Sequence, residues 1–272
     1  LDLDGRGVTI GVIDTGIDYF HAAFGAAGVA ADYAADDHGA VEPGTFPTAV
    51  VVGGHDFAGT GYSGSGAPNP DPDPVDENGH GTHVAGIAAG RAWPGGAAGV
   101  APGARLVALK VFGAGGSTNL AYDAIEWAVE AKLGRPVAGR AAAVDVLNLS
   151  LGSAWASTSA YESDIIDAAT AAGIVVVGAA GNDGDVAFIA GGPGLADGAI
   201  GVASTVGPGQ LGDRVQFVVD GVATDVEAIE AHPSLARRLA AVGRLEGDAV
   251  WLGLGCTAPP PGAATVRVAI LE

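Results

Sequence analysis

Short unbroken apolar runs rich in Val and Ile punctuate the chain, and longer stretches of helical character separate them. The runs are VTIGVID (8–14), RLVALKVF (105–112), VDVLNLS (144–150), GIVVVGAA (173–180) and AIGVAST (199–205). They lack the in–out alternation of a strand with one wet face, so they predict strands buried on both faces, as in a parallel sheet. Helices are predicted over 80–90, 119–133 and 159–172, the second carrying apolar Leu120, Ala124, Ile125, Trp127 and Ala128. Strand–helix–strand repetition implies right-handed crossovers and an α/β, doubly wound, mostly parallel sheet. The site of such a sheet lies outside the carboxyl ends of its strands.

The texture changes near Gly207. QFVVDG, DAVWLGLG and TVRVAILE read as strands with turns between them, while PSLARRLAAVG mixes polar and apolar residues. A first domain over 1–206 and a smaller β-rich unit over 207–272 are therefore expected. VRVAILE reads as stopping in mid-strand. The chain also begins at Leu1 and contains no methionine, so it reads as a piece of a longer protein.

Composition narrows the function classes. The formal net charge is −19, from 12 basic against 31 acidic residues, which opposes binding to nucleic acid or an anionic membrane. There is no apolar run of the roughly 18 residues needed to span a bilayer. The 46 glycines and 15 prolines follow no repeat and read as loop punctuation. Cys256 is the single cysteine, so it has no internal disulfide partner.

The strand-end rule singles out a few residues. Asp14 closes the first strand in IDTGID. A lone Asp-Thr-Gly in an alternating strand–helix setting does not make an aspartic protease, which needs two such carboxylates sharing a proton. In NGHGTHVAG, His80 falls at a helix start within a glycine-rich turn, the place for a general base exposed in a cleft. His83, one turn on in an Ala/Val/Ile helix, is expected to be a satisfied core histidine. A zinc pair lacks the acid of HExxH, since Gly and Thr lie between the imidazoles. Asn182, after the strand IVVV, is placed to donate an amide hydrogen bond to a developing oxyanion, or else simply forms a turn. Ser150-Leu151-Gly152 extends another strand end and offers an edge to a peptide backbone.

Taken in order, these pieces resemble the subtilase (subtilisin-like) serine endopeptidases, whose chain order is Asp, His, Ser. VIDTGID is similar to the family's Asp block, NGHGTHVAGIAAG to its His block and GVAPGARLVALKVFGAGGS to the segment leading to a substrate-binding edge. DVLNLSLGS is similar to one wall of the primary specificity pocket, and VVVGAAGNDG to the oxyanion Asn block. The resemblance covers residues 7–205. It implies that Asp14 orients the imidazole, that His80 is the general base and that Asn182 holds the oxyanion. It also implies that Gly116 and Ser117 face Ser150, Leu151 and Gly152 across a bound polypeptide substrate.

AVVVGGHDFAGTGYSGSG followed by NPDPDPVDENGHGTH resembles the larger secreted bacterial subtilases, which carry an inserted protease-associated (PA) domain. GDAVWLGLGCTAP and VRVAILE are similar to the start of such a domain, in which a second cysteine often follows, a partner for Cys256. The family's Gly-Thr-Ser nucleophile block is absent. Ser63, Ser65, Ser153, Ser157, Ser159, Ser163 and Ser204 lie in no such motif. The chain as given is thus expected to be inactive, with its serine beyond residue 272. A secreted, extracellular, monomeric peptidase is expected.

No catalytic metal or cofactor is assigned. Ca²⁺ as a structural ion is a family habit, and Asp71, Asp73 and Asp76 offer oxygens for it, but their alternation with proline reads more simply as a stiff, solvated loop. The loop GRAWPGGAAGV also lacks the Asn-bearing insertion that supplies calcium ligands in familiar subtilisins. Two other readings stand beside the peptidase. One is a catalytically silent, subtilase-like module that binds peptides along Ser150–Gly152. The other is a metal-dependent hydrolase built on Asp14, His80 and His83.

Overall fold

A computed structural model describes residues 3–114, 116–155, 159–184, 186–205, 213–219, 222–228, 249–251 and 268–270. The chain divides into two compact units, 1–204 and 205–272. Each of the five predicted runs in the first unit forms a strand: β1 (Thr9–Asp14), β3 (Arg105–Lys110), β4 (Val146–Leu149), β5 (Val175–Ala179) and β6 (Ala199–Val202). One further strand, β2 (Val51–Asp56), has no counterpart among the predicted ones. Together they make a six-stranded sheet in the order β2-β3-β1-β4-β5-β6, parallel at every pairing. This is the doubly wound parallel sheet that the apolar runs predict.

Gly53 and Gly54 hide β2 in the sequence. They interrupt the apolar run VVGGHD, and glycine weakens a strand unless another backbone comes close. Here one does: a Cβ on Gly54 would stand 2.1 Å from the Ala108 carbonyl oxygen of β3, and one on Gly53 would stand 2.7 Å from that of Arg140. The pairing with β3 shifts register between Val51 and Gly53.

Helices cover both faces of the sheet. They are α2 (His80–Ala89), α3 (Ala121–Lys132) and α4 (Ala160–Ala171), besides a short α1 (Ala30–Ala34) and a single 3-10 turn at Ala22–Phe24. α4 begins where Ser159 accepts a hydrogen bond from the Glu162 amide at 3.1 Å, the first half of an S-x-x-E capping box. α3 and α4 lie over one face, where Ile125, Trp127 and Ile166 pack with Ile13, Leu109, Leu147 and Val176. The other face carries α2, with Ala85 and Ala89 against Val12 and Ala108, beside Tyr19, Phe24 and Phe46. Burying each large side chain stabilises the unit by about 1.5–3 kcal/mol. None of the described helices is long and apolar enough to cross a membrane.

In the second unit β7 (Asp213–Val219) and β8 (Val222–Ala228) form an antiparallel hairpin. β9 (Ala249–Trp251) pairs in parallel with β10 (Val268–Ile270). The expected strands QFVVDG, DAVWLGLG and TVRVAILE overlap these in part. PSLARRLAAVG and Cys256 lie outside the described residues.

Candidate active site

The sheet's carboxyl edge brings the first two candidates together. Asp14 ends β1, the strand held on both sides, with Lys110 of β3 as its register partner. His80 opens α2, and its Nδ1 stands 2.7 Å from Asp14 Oδ1. The carboxylate is fully buried while the imidazole is 52 % exposed. A buried acceptor on Nδ1 fixes the tautomer and leaves Nε2 as the nitrogen free to accept a proton, as a general base requires.

Glycine sets the approach of these two elements. A Cβ on Gly81 would stand 2.2 Å from the Gly16 carbonyl oxygen and 3.1 Å from Asp14 Cβ. Gly16 turns the chain away from β1 with φ of 112°. With no side chain between helix start and strand end, the two backbones close to contact and the dyad spacing follows.

Asp76 holds the helix start in place. Its Oδ1 accepts from the amides of Asn78 and Gly79, both at 2.9 Å, and from the Thr15 hydroxyl at 2.8 Å. Its Oδ2 accepts from the Thr82 amide at 2.9 Å and the Thr82 hydroxyl at 2.6 Å. Thr15 in turn accepts from the Gly81 amide at 2.8 Å. Gly79, the residue at the cap position, has no side chain, so a carboxylate three residues upstream serves the orphan amides of the first turn. Burial pushes the Asp76 carboxyl up, but the hydrogen bonds from Thr82, Gly79 and Asn78 outweigh it and hold it below its usual range. Burial likewise pushes Asp14 up, helped by the Asp76 charge. Hydrogen bonds from His80 and Thr15 oppose it without cancelling it, so its carboxyl lies above the ordinary range.

Two expectations about this region are corrected. The DPDPVD loop is solvated only at Asp71 and Pro72: Asp73 is fully buried and Asp76 only 3 % exposed. Each carboxylate has turned inward, Asp76 toward α2 and Asp73 toward the Tyr19 hydroxyl at 2.8 Å. His83 is not a core histidine but exposed. The buried face of α2 is Gly81, Ala85 and Ala89, spaced four apart, and His83 lies off that line. It lines an open cavity of about 590 Å³ with His21, Thr82, Ile87, Trp93 and Val100; neither Asp14 nor His80 belongs to that lining.

Among the substrate-contact candidates, Ser150 and Leu151 directly follow β4. Leu149 pairs with Ile13, so Ser150 stands level with Asp14 on the neighbouring strand. Its hydroxyl accepts from Asn148 Nδ2 at 2.9 Å. A Cβ on Gly152 would meet the Gly192 carbonyl oxygen at 2.8 Å, and one on Gly191 would overlap Ser153. The GGPG segment (191–194) thus packs directly against the 152–153 edge, a neighbour that sequence reasoning does not single out. Gly116 and Ser117 are exposed and lie against Ser63, with Ser117 Oγ at 3.4 Å from the Ser63 carbonyl. Asn182 is exposed in the turn that follows β5. Among the described residues, the structure gives no hydrogen bond between Asn182 and the Asp14–His80 pair, and no hydroxyl hydrogen-bonded to His80.

A buried ion cluster that sequence reasoning misses lies beside the dyad. Lys110 Nζ, wholly inaccessible, contacts Asp56 Oδ2 at 2.6 Å and Glu77 Oε2 at 2.9 Å. Burial pulls the ammonium down, but Asp56 and Glu77 outweigh it, so Lys110 is held above its usual range. A lysine inside the apolar run RLVALKVF is the available signal, since a buried lysine requires partners.

The chain is similar to several known proteins. The Peptidase_S8 sequence profile, described as the subtilase family, matches residues 5–226. Subtilisin DY of Bacillus licheniformis is 35 % identical over 183 residues, covering 66 % of this chain and 49 % of that protein. Subtilisin-like protease 3 of Arthroderma otae is 36 % identical over 181 residues, or 66 % of this chain and 34 % of that one. The chain thus spans half or less of the length of these relatives. Among solved structures, a chain described as proteases from Pseudoalteromonas arctica superposes with a TM-score of 0.55 at 29 % identity. That match covers 75 % of this chain and 57 % of the other. Sphericase superposes with a TM-score of 0.52 at 26 % identity, over 83 % and 59 %.

Proposed function

The chain belongs to the subtilase family, and from that premise we propose that it supplies the Asp–His half of a serine endopeptidase site. The observation that carries this reading is the 2.7 Å contact between buried Asp14 Oδ1 and His80 Nδ1 at the carboxyl edge of the sheet. His80 takes the proton of a serine hydroxyl through Nε2 as that oxygen attacks the scissile carbonyl, then returns it to the leaving amine. Asp14 holds the imidazole in the required tautomer and stabilises the imidazolium formed on the way. Asn182 donates its side-chain amide to the tetrahedral oxyanion, a contact worth about 3 kcal/mol in such sites. Ser150, Leu151 and Gly152, with Gly116 and Ser117, bind the polypeptide backbone.

The nucleophilic serine lies, on this reading, beyond residue 272. The 207–272 unit is the start of a PA-like insertion ahead of it, and the chain as given does not hydrolyse peptides. An extracellular, monomeric enzyme goes with the same reading. The test is labelling with a fluorophosphonate serine-hydrolase probe, on this chain and on the gene's longer product. Labelling of the longer product alone, abolished by His80→Ala, is expected. A longer product that folds but never labels would favour the silent peptide-binding module instead, and peptide binding dependent on Ser150–Gly152 would then be measured.

A further inference from the structure

α2 has a second face that the sheet does not use. Gly81, Ala85 and Ala89 are buried, while Gly79, His83, Gly86, Ile87 and Gly90 recur every three or four residues on another side. These five line the open cavity of about 590 Å³. The wall opposite α2 comes from the turn after β1 and the loop after α2, joined where the Arg91 amide donates to the Ala23 carbonyl at 2.8 Å. His21 and Trp93 meet edge to face in that wall, their ring centroids 4.8 Å apart. A Cβ on Gly79 or on Gly86 would meet nothing within 4 Å, so the cavity is an open groove along the helix.

Its chemistry sets it apart from the rest of the surface. In a protein of formal charge −19, no Asp, Glu, Lys or Arg is among the residues that line it. Ile87 is 57 % exposed and Val100 84 %, so apolar area is left in water. An uncharged, apolar groove of this kind marks a binding surface, and it fits a neutral apolar chain rather than a cation.

Its position names the chain. The groove begins at Gly79, the residue before His80. The two candidate backbone-binding segments, 116–117 and 150–152, lead into α3 and α4 on the other face of the sheet. The dyad stands at the carboxyl edge between them. A polypeptide held by those segments and running past His80 therefore comes down on the α2 side. On the endopeptidase reading, on which this inference rests, His80 hands its proton to the leaving amine, so the stretch beyond it is the leaving half of the substrate. We propose that the groove along α2 binds that leaving half and selects large apolar side chains in it. At about 1.5 Å per residue, α2 gives the groove a length of about 16 Å from Gly79 to Gly90, the span of about five extended residues.

The test is hydrolysis, by the gene's longer product, of internally quenched peptides that share one acyl half and carry a six-residue leaving half. Phe or Ser is placed at each leaving-half position from the second to the fifth. In wild type, Phe is expected to raise kcat/KM over Ser by about tenfold or more at one or two of these positions. Gly86→Leu puts a side chain into the open groove and is expected to bring that ratio close to one. Ile87→Ser, at an exposed position, is expected to lower it severalfold. Each ratio is taken within one preparation, so a variant that folds only in part still reports it. A ratio near one at every position, from a wild-type product that fluorophosphonate labels, would overturn the groove and leave the endopeptidase reading standing. So would a Phe preference that survives Gly86→Leu, or a dimer in sedimentation that Gly86→Leu dissociates, since a second copy would then fill the groove. A product that folds and never labels would overturn both readings.

Discussion

Asp14 illustrates what burial costs a single carboxylate. Its Oδ1 is engaged by His80 and the Thr15 amide, but its Oδ2 is buried with no partner among the described residues. Burial raises its pKa above the ordinary carboxylate range. A carboxyl whose folded pKa exceeds its unfolded value favours folding at low pH and loses that contribution as the pH rises through the folded value. At pH 8 the ionised Asp14 is therefore a net cost to the fold. Asp14→Asn is expected to melt at or above the wild-type temperature at pH 8, with the difference narrowing as the pH falls toward 4. A variant that melts several degrees lower at pH 8 would contradict this account. The same substitution should abolish labelling of the longer product, because a neutral amide stabilises no imidazolium.

Lys110 shows how elements depend on one another. It sits at the end of β3, reaches Asp56 at the end of β2 and holds Glu77 in the loop that enters α2. Replacing it with methionine keeps the bulk and leaves two carboxylates facing each other inside the protein. A loss of about 3–5 kcal/mol is expected from urea denaturation, with part recovered in the double variant that adds Asp56→Asn. A loss below 1 kcal/mol would mean that water already reaches the cluster. Legibility in the sequence follows the same division. β1, β3, β4, β5 and β6 are readable because both of their faces meet apolar residues, so their runs are continuous. β2 is not, because backbone proximity selects glycines where a buried strand otherwise carries Val and Ile. Asp14 and His80 are readable because each ends or begins an element. The cluster of Lys110 with Asp56 and Glu77 is not, since the fold alone brings residues 56, 77 and 110 together. His83 misleads because α2 packs through small residues, and its Val and Ile do not mark the buried face.

The whole chain carries a formal charge of −19, and a charge that large repels itself once folding has gathered it. Raising NaCl from 10 mM to 150 mM at pH 8, in EGTA, shortens the screening length from about 30 Å to about 8 Å. Tm is expected to rise by a few degrees over that range. A flat or falling Tm would show that favourable ion pairs such as Lys132–Asp145, at 2.7 Å, outweigh the surplus.

The strand order also governs when the site comes into being. β1 is made first, yet both of its neighbours, β3 and β4, are made much later. A chain leaving the ribosome therefore exposes Asp14 on a strand without flanking partners until Arg105–Lys110 and then Val146–Leu149 have been synthesised. His80 emerges long before the seat of its partner is complete. The Asp14–His80 contact is thus assembled late in biosynthesis, by the order of the strands itself.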